Sequence, residues 1–507
     1  MTAVAMRSPR MATATRVVVA LVALAALLRL ATVGQQSYWY DEAVTVHLVH
    51  DSFVGMLHRI PQTESTPPLY YVVAWIWARI AGTSEVGLRT LSALAGIATV
   101  PLLYLAGRRL AGQVAGLIAA GLAAVSPFLI WYAQEARAYA LVVLVCAGSL
   151  LLYLRARERP TSGRLAAWAA VSAAAVATHY FAVFVVVAEM AILLADLRYR
   201  ARIRAVAASA GVALVVAALA PLALDQRATG RTNWIGHMPL SDRLGQLPLQ
   251  FLAGFGEQAA PRLGLAFGLV VVVGALALLW RLAEPLRGDV ARVLGIAAAG
   301  VAGPLVLAVV ASDEVLSRNE IVVWPALAVG FAALLGASVN RRFGLVIAAA
   351  AAALGLAGTT AVVVESALQR TDWRQAARLI GQTRTRRAIV APGGFRALPL
   401  ELYLHRSDSF PEGRFAVRQI VELGASGGTP GRCWWGAARC DLLTRAAPRR
   451  SPVKGFAFAG QARAGAFTVT RFQSPRSQRL TARQLGQRPK TRGSLLVLAD
   501  PAPADAR

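Results

Sequence analysis

The sequence predicts an all-α polytopic membrane protein of about eleven transmembrane helices, followed by a small C-terminal α/β domain outside the membrane. Three observations lead there. Of 507 residues, 56% are hydrophobic and only 16% charged, and the mean hydropathy is +0.52. A soluble globular chain does not reach such values, which excludes a simple cytosolic enzyme. Apolar runs of about 17 to 25 residues, the length that crosses a bilayer, recur as far as Val364. Beyond Glu365 the hydropathy falls and short apolar runs alternate with polar ones.

The first apolar run, Val17 to Val33, follows Arg7, Arg10 and Arg16. No Ala-x-Ala-like cleavage site follows it, so it reads as a span rather than a signal peptide. Further spans are expected at Leu88 to Gly107, Val114 to Trp131, Tyr139 to Leu154, Leu165 to Thr178, Phe181 to Leu197, Ile203 to Leu222, Leu263 to Trp280, Val290 to Ala311, Ile321 to Ser338 and Phe343 to Val364. Leu69 to Ala81 is too short to cross comfortably and follows Pro67-Pro68, so it is read as an interfacial or re-entrant segment of a first outer loop, 34–87. With that reading Arg108-Arg109, Arg155 to Arg164, Arg198 to Arg204, Arg281 to Arg292 and Arg341-Arg342 all fall on the N-terminal, cytoplasmic side. The other polar stretches then gather on the outer face: Tyr38 to Pro68, Glu135 to Arg137, His179, Asp225 to Arg262, Asp313 to Glu320 and everything after Glu365.

The expected division is thus a transmembrane module, 1–364, and an extracytoplasmic α/β domain, 365–507. In the latter, Ala388 to Ala391, Phe456 to Ala459, Ala466 to Val469 and Leu495 to Leu498 are the apolar runs, and Asp372 to Gln382 is helical. Ser474 to Arg492, rich in Arg, Gln and Ser, reads as a mobile basic tail. The net charge of +27 and pI near 11.4 suggest nucleic acid at first sight. All but two of the 53 basic residues are Arg, however, the exceptions being Lys454 and Lys490, a skew that reflects coding composition. The basic loops are better explained by membrane topology, so no nucleic-acid partner is expected. Three cysteines make no disulfide framework. Cys146 lies in an apolar run, while Cys433 and Cys440 flank a Trp-rich segment and would close a small loop in an oxidising compartment.

The residues able to carry chemistry sit in the outer segments. Asp41 and Glu42, in Tyr38-Trp-Tyr-Asp-Glu-Ala, follow the first span beside three aromatic rings. A carboxylate in a partly apolar cleft serves as a general base, and the competing reading makes Asp41 an N-cap beneath an interfacial aromatic belt. Glu64 adds an acid before the rigid Pro67-Pro68 turn. Arg89, Arg137 and Arg318 occupy outer span ends, against the positive-inside bias. Holding a phosphate is one reason for that, and pairing of Arg137 with Glu135 is another. His179, between two apolar runs, either joins the anion site or is a hydrogen-bonded core residue. No zinc-spaced His/Cys cluster, Walker sequence or Rossmann fingerprint is present. An activated group would therefore arrive on a membrane carrier.

In order along the chain, Trp39-Tyr-Asp-Glu, Pro67-Pro-Leu-Tyr-Tyr, Leu88-Arg-Thr-Leu-Ser-Ala-Leu-Ala-Gly, Gln134-Glu-Ala-Arg-Ala-Tyr-Ala-Leu, Thr178-His-Tyr-Phe, Asn233-Trp-Ile and Asp372-Trp-Arg-Gln-Ala-Ala resemble the polytopic GT-C glycosyltransferases. The likeness is to the bacterial, family 39-like branch of protein mannosyltransferases and lipid A aminoarabinose transferases. It implies transfer of a sugar from a polyprenyl-phosphate donor to a glycan, lipid or protein acceptor outside the cytoplasmic membrane, with inversion at the anomeric carbon. By that resemblance Asp41 is the base, Glu42 and Glu64 orient acceptor or base, and Arg137, with Arg89, His179 and Arg318, holds the carrier phosphate. The chain departs from the family at Thr66, where aminoarabinose transferases carry a basic residue, and at Arg318-Asn319, where others show Arg-Tyr. No cofactor is fixed by the sequence. Some GT-C enzymes use a divalent metal and others do not, and Asp41, Glu42 and Glu64 are compatible with either.

Two other classes share part of this pattern. A transporter or flippase of lipid-linked saccharide has many spans and an Arg-lined cavity, but is expected to show internal repeats and polar residues at mid-membrane depth. A non-catalytic envelope scaffold predicts that Asp41→Asn is silent.

Overall fold

The structure is a computed structural model that describes residues 9–254, 261–337, 341–383, 385–392, 398–404, 407–409, 413–425, 449–465, 467–485 and 494–499. Cys433 and Cys440, and with them the expected disulfide, lie outside the described residues, and Cys146 is a buried free thiol. The described residues form two compact units. One holds those of Met1–Val33 and Leu48–Val364, and the other those of Gly34–His47 and of the chain from Glu365 onward.

The first unit is helical. Its elements are α1 (Pro9–Leu30), the end of α2 (Tyr40–His50), α3 (Phe53–Thr63), α4 (Leu69–Ala81), α5 (Glu85–Val125), α6 (Pro127–Ala133), α7 (Tyr139–Glu158), α8 (Ser162–Thr178), α9 (Ala182–Asp196), α10 (Tyr199–Ala228), α11 (Leu240–Ala253), α12 (Pro261–Trp280), α13 (Leu286–Val310), α14 (Trp324–Gly336) and α15 (Arg341–Val364). Several starts follow local side-chain chemistry: Ser52, Ser84, Ser126 and Thr161 each accept a backbone N–H at the N-cap of α3, α5, α6 and α8. Pro127, which has no N–H to lose, opens α6.

Seven of these helices are long and apolar enough to cross a membrane, while α8, α9 and α14 are apolar but shorter, at 17, 15 and 13 residues. The longest, α5, is two of the expected spans. Its backbone leaves helical geometry at Ala111 and Gly112, where φ of Gly112 is +86°, and the chain turns back on itself. A Cβ on Gly116 would lie 2.6 Å from the Tyr104 carbonyl oxygen, and one on Gly107 would lie 3.0 Å from that of Ala115. Only glycine lets the two arms approach so closely.

Ion pairs fix which helix ends share a side. Arg109 pairs with Glu158 at 2.5 Å, Arg157 with Asp196 at 2.7 Å and Asp289 at 2.8 Å, and Arg292 with Asp196 at 3.0 Å. The Arg108-Arg109 turn, the ends of α7 and α9 and the start of α13 therefore meet at one end of the bundle. At the opposite end Arg29 is buried and donates to the carbonyls of Ala123 (2.8 Å) and Ala124 (2.9 Å), in the last turn of α5. A guanidinium there satisfies carbonyls that the helix leaves without partners. Gly96 makes room for it, since a Cβ at that position would stand 2.9 Å from Arg29 Nε.

Within the bundle, Glu189 of α9 is fully buried and accepts from Ser149 Oγ of α7 at 2.5 Å and Trp168 Nε1 of α8 at 2.8 Å. The candidate acids of the sequence analysis lie in outer segments. Glu189 is an intramembrane acid, tolerated because neighbouring helices donate to it.

The second unit is a six-stranded sheet with helices α16 (Trp373–Ile380) and α17 (Pro399–Tyr403). The strands are β1 (Arg387–Pro392), β2 (Ser407–Ser409), β3 (Phe415–Ala425), β4 (Ala457–Ala464), β5 (Phe467–Leu480) and β6 (Ser494–Ala499), in the order β2-β6-β1-β3-β5-β4. Among the described strands only β1 and β3 run parallel. Alternation sets the two cores: Ile389 and Ala391 face α16 through Trp373, Ala376 and Ile380, whereas Ala388 and Val390 join Val417, Ile420 and Phe472 on the other face. The expected apolar runs and helix coincide with β1, β4, β5, β6 and α16. Ser474 to Leu480 differ from the expected tail, for they complete β5. Its outward residues, Arg476 and Arg479, gave a polar composition to a strand whose Ser474 and Leu480 are buried.

Gly34–Tyr38 belongs to this unit by specific bonds. Ser37 Oγ donates to the Thr371 carbonyl at 3.0 Å and accepts from the Trp373 N–H at 2.9 Å. Tyr38 N–H donates to Tyr403 Oη at 2.7 Å, and Arg374 reaches the Gly34 carbonyl at 3.0 Å. Asp372 caps α16 by accepting from Gln375 N–H, so the Asp372-Trp-Arg-Gln motif is a helix start built against this segment.

Candidate active site

The expected site residues fall in both units, and each group is described within its own. In the second unit, Asp41 and Glu42 occupy the first turn of α2. Glu42 is fully buried, and its Oε2 accepts from the Trp39 N–H at 3.4 Å, half of a capping box. The capping contact thus goes to Glu42 rather than to Asp41. Asp41 is partly buried, and its carbonyl accepts from Thr45 Oγ1 at 3.2 Å.

In the first unit the structure brings together Glu64, Arg137, His179 and Arg318. Arg137 lies in the non-helical turn between α6 and α7. Gln134, at the start of that turn, donates to Thr32 Oγ1 (2.7 Å) and the Arg29 carbonyl (3.1 Å). Arg137 reaches both oxygens of Glu64, at 2.9 and 2.8 Å, with side chains only 8% and 2% exposed. The ion pair of Arg137 is therefore with Glu64, and Glu64 is held as its counter-charge. Tyr71 Oη donates to Glu64 Oε2 at 2.6 Å, with Thr66 Oγ1 3.0 Å from the phenol. Burial, opposed by Arg137 and assisted by Glu64, pushes that phenol well above its ordinary value, so it remains a donor. Gln226 donates to the Thr66 carbonyl at 3.1 Å and accepts from Tyr180 Oη at 2.8 Å, which ties α10 to the Pro67-Pro68 turn.

His179 stands between α8 and α9, its ring 6.0 Å from that of Tyr139 and 5.6 Å from that of Phe181. Burial lowers its pKa to about 3, with the Arg318 and Arg137 charges adding to the effect, so the imidazole is neutral at physiological pH. Nδ1 accepts the Phe181 N–H at 3.3 Å, which leaves the proton on Nε2. That Nε2 is buried and has no hydrogen-bond partner among the described residues. Arg318, whose Cζ lies 5.7 Å from the Trp234 ring centre, faces His179 closely enough to act on it. Arg318 thus adds a further basic side chain beside the neutral His179 and the Glu64-paired Arg137. Arg89 is buried in α5 and donates to the Val33 carbonyl at 3.1 Å, and Ser92, one turn on, donates to the Arg137 carbonyl at 3.4 Å.

Among the described residues no group of three or more His, Cys, Asp or Glu side chains could hold a metal ion. Glu64, the acid of the first unit proposed from sequence, spends its oxygens on Arg137 and Tyr71, so this donor set does not fit a divalent metal. Sequence reasoning overlooked Tyr71, Gln226 and Tyr180, which show no charge pattern. It also passed over Glu320, which is fully buried with neither carboxylate oxygen hydrogen-bonded. Burial pushes the Glu320 carboxyl well above its usual range. The folded state therefore holds this proton more tightly than the unfolded state, and stability declines as pH rises above the ordinary carboxylate value. Glu320→Gln, which mimics the protonated acid, is expected to melt higher than the wild type in detergent at about pH 8 and to match it near pH 4.5. Between those limits the gap widens by at most about 1.4 kcal/mol per pH unit. A constant difference across the series would show that Glu320 is not protonated on folding.

Comparisons with known proteins bear on the same residues. Residues 65–224, which include Thr66, Tyr71, Arg89, Arg137 and His179, match the dolichyl-phosphate-mannose-protein mannosyltransferase family. No curated protein sequence matches significantly. Among solved structures, ArnT from Cupriavidus metallidurans in the apo state aligns with a TM-score of 0.47 at 16% identity, over 70% of this chain and 66% of that one. The oligosaccharyltransferase of Archaeoglobus fulgidus in the apo form aligns with a TM-score of 0.46 at 13% identity, over 72% of this chain and 57% of that one. The chain thus spans less than two thirds of the length of either. The part of the chain from residue 65 to 224, under half of its length, is thus similar to the dolichyl-phosphate-mannose-protein mannosyltransferase family.

Proposed function

We propose that this protein transfers a sugar from a polyprenyl-phosphate carrier to a glycan, lipid or protein acceptor at the outer face of the cell membrane. The observation that carries the reading is the grouping of Arg137, His179 and Arg318, in which the buried His179 Nε2–H has no hydrogen-bond partner among the described residues. A phosphodiester donor needs such donors, because its phosphate leaves with the bonding electrons and gains charge in the transition state. Removing one preorganised donor typically costs about 10²- to 10³-fold in rate. Arg89, buried one helical turn from Ser92, shapes the same region through the α1 end.

In this mechanism the acceptor hydroxyl oxygen attacks the anomeric carbon and the bond to the phosphate oxygen breaks. The hydroxyl proton passes to the Asp41 carboxylate, and attack opposite the leaving group inverts the anomeric configuration. Glu42 holds the first turn of α2 through the Trp39 N–H, and Glu64 holds Arg137. The division into a transmembrane module, 1–364, and an outer domain, 365–507, belongs to the same proposal. The test is transfer of radiolabelled sugar from polyprenyl-phosphate donors in membranes carrying the wild type or Asp41→Asn at matched expression.

The orientation has its own test. The end of the bundle that gathers Arg109, Arg157 and Arg292 is rich in Arg, which supports a cytoplasmic location for it. A reporter fused after Arg109 is expected inside and one fused after Gly230 outside. The reverse at either position overturns the orientation.

A further inference from the structure

Arg318 sits on a stretch with little structure of its own. Between the end of α13 at Val310 and the short 3-10 helix that begins at Glu320, no helix or strand holds the chain. Bonds from a neighbouring helix fasten that stretch from outside, and Arg243 of α11 supplies them. Arg243 is 2% exposed, and it lies in the first turn of α11, where the helix dipole disfavours a cation. Its placement is explained by four acceptors. The guanidinium grips both oxygens of Asp313, one at 2.6 Å, and donates to the Val315 carbonyl at 2.8 Å and the Met238 carbonyl at 3.2 Å.

Asp313 itself accepts the Val315 N–H at 3.3 Å. The Arg243 hydrogen bonds draw the Asp313 carboxyl below its usual range, so it stays ionised as the counter-charge. Further bonds join the same two loops: Thr232 donates to Glu314 at 3.0 Å, and Arg227 donates to the Ala311 carbonyl at 2.6 Å. Trp234, from the loop that precedes α11, lies under the Arg318 guanidinium. The planar Arg fork, matched to a carboxylate and a carbonyl at once, sets the position of the stretch and not merely its charge.

We propose that Arg243 and Asp313 are positioning residues for the anion site, acting by holding Arg318 in place. The inference rests on the proposed function, since it takes the anion to be the phosphate of a lipid carrier. If the pair acts only through Arg318, its loss and the loss of Arg318 are not additive.

The experiment measures binding of a polyprenyl phosphate and of the corresponding neutral polyprenol to the full-length protein in detergent, with Trp234 beneath Arg318 contributing to a tryptophan fluorescence signal. Asp313→Asn, Arg243→Lys, Arg318→Ala and the Asp313→Asn/Arg318→Ala double variant are compared with the wild type. Arg318→Ala and Asp313→Asn are each expected to weaken phosphate-lipid binding about tenfold, as the loss of one charge-assisted contact does. The double variant is expected to lose no more than Arg318→Ala alone. Arg243→Lys, which keeps the charge and the fold but not the fork, is expected to weaken phosphate binding without changing polyprenol binding. Wild-type affinity in Asp313→Asn and Arg243→Lys, alongside a loss in Arg318→Ala, overturns the clasp and leaves the anion site standing. A double-variant loss near the product of the two singles also overturns it, because the pair then acts elsewhere. Equal wild-type affinity for phosphate and neutral lipid overturns the anion site and the clasp's part in it together.

Discussion

Asp41→Asn is expected to slow sugar transfer about 10²- to 10⁴-fold with donor binding unchanged, the range over which a positioned general base contributes. The substitution keeps the size and shape of the side chain and removes only its capacity to take a proton. The two acids of α2 are unlike in a way that favours Asp41. Glu42 is fully buried and occupied by the Trp39 N–H, whereas Asp41 is partly exposed. Glu42→Gln is therefore expected to act chiefly on folding of the first turn, while Asp41→Asn acts on turnover. Equal transfer by wild type and Asp41→Asn would remove Asp41 from the chemistry and move the base elsewhere, with Glu42 and Glu64 the next acids to test.

Arg137→Met is expected to destabilise the protein by about 3–5 kcal/mol, the cost of leaving one partner of a buried ion pair behind. The stranded partner is Glu64, 2% exposed, to which Tyr71 still donates. Thermal unfolding in detergent measures the loss. The double variant Glu64→Gln/Arg137→Met removes both charges and is expected to regain most of that stability without regaining phosphate-lipid binding. That separation tells a structural salt bridge from a ligand-binding guanidinium. A double variant that binds the phosphate lipid as the wild type does would assign Arg137 to structure alone.

The spans and the sheet were legible because hydropathy and alternation are written along the chain. Even the reversal at Ala111-Gly112 was marked, by Arg108-Arg109 between two apolar runs. What was not legible is pairing at a distance. Glu64 and Arg137 are 73 residues apart, and nothing near Arg137 distinguishes Glu64 from Glu135 as its partner. The neutral state of His179 follows from burial and from two Arg residues on other segments, which no local motif encodes. Glu189 is different: an acid within an apolar run was there to be noticed, and its Ser149 and Trp168 donors explain why it is tolerated. Composition misled over Ser474 to Leu480, since solvent-facing Arg and Gln outnumber the inward side chains of that half-strand.

The bond from Ser37 to Thr371 spans 334 residues, and this distance bears on biogenesis. Gly34–Tyr38 leaves the ribosome early, yet its hydrogen-bonding partners on Thr371, Trp373, Arg374 and Tyr403 are synthesised only after every apolar span has been made. Domains made in stages usually fold as they emerge, N-terminal parts first. Here the peptide leading into Asp41 has to wait. A nascent chain still being inserted would carry the proposed base on a segment without its anchors, and the transfer activity proposed for it would come only after Tyr403 has been made.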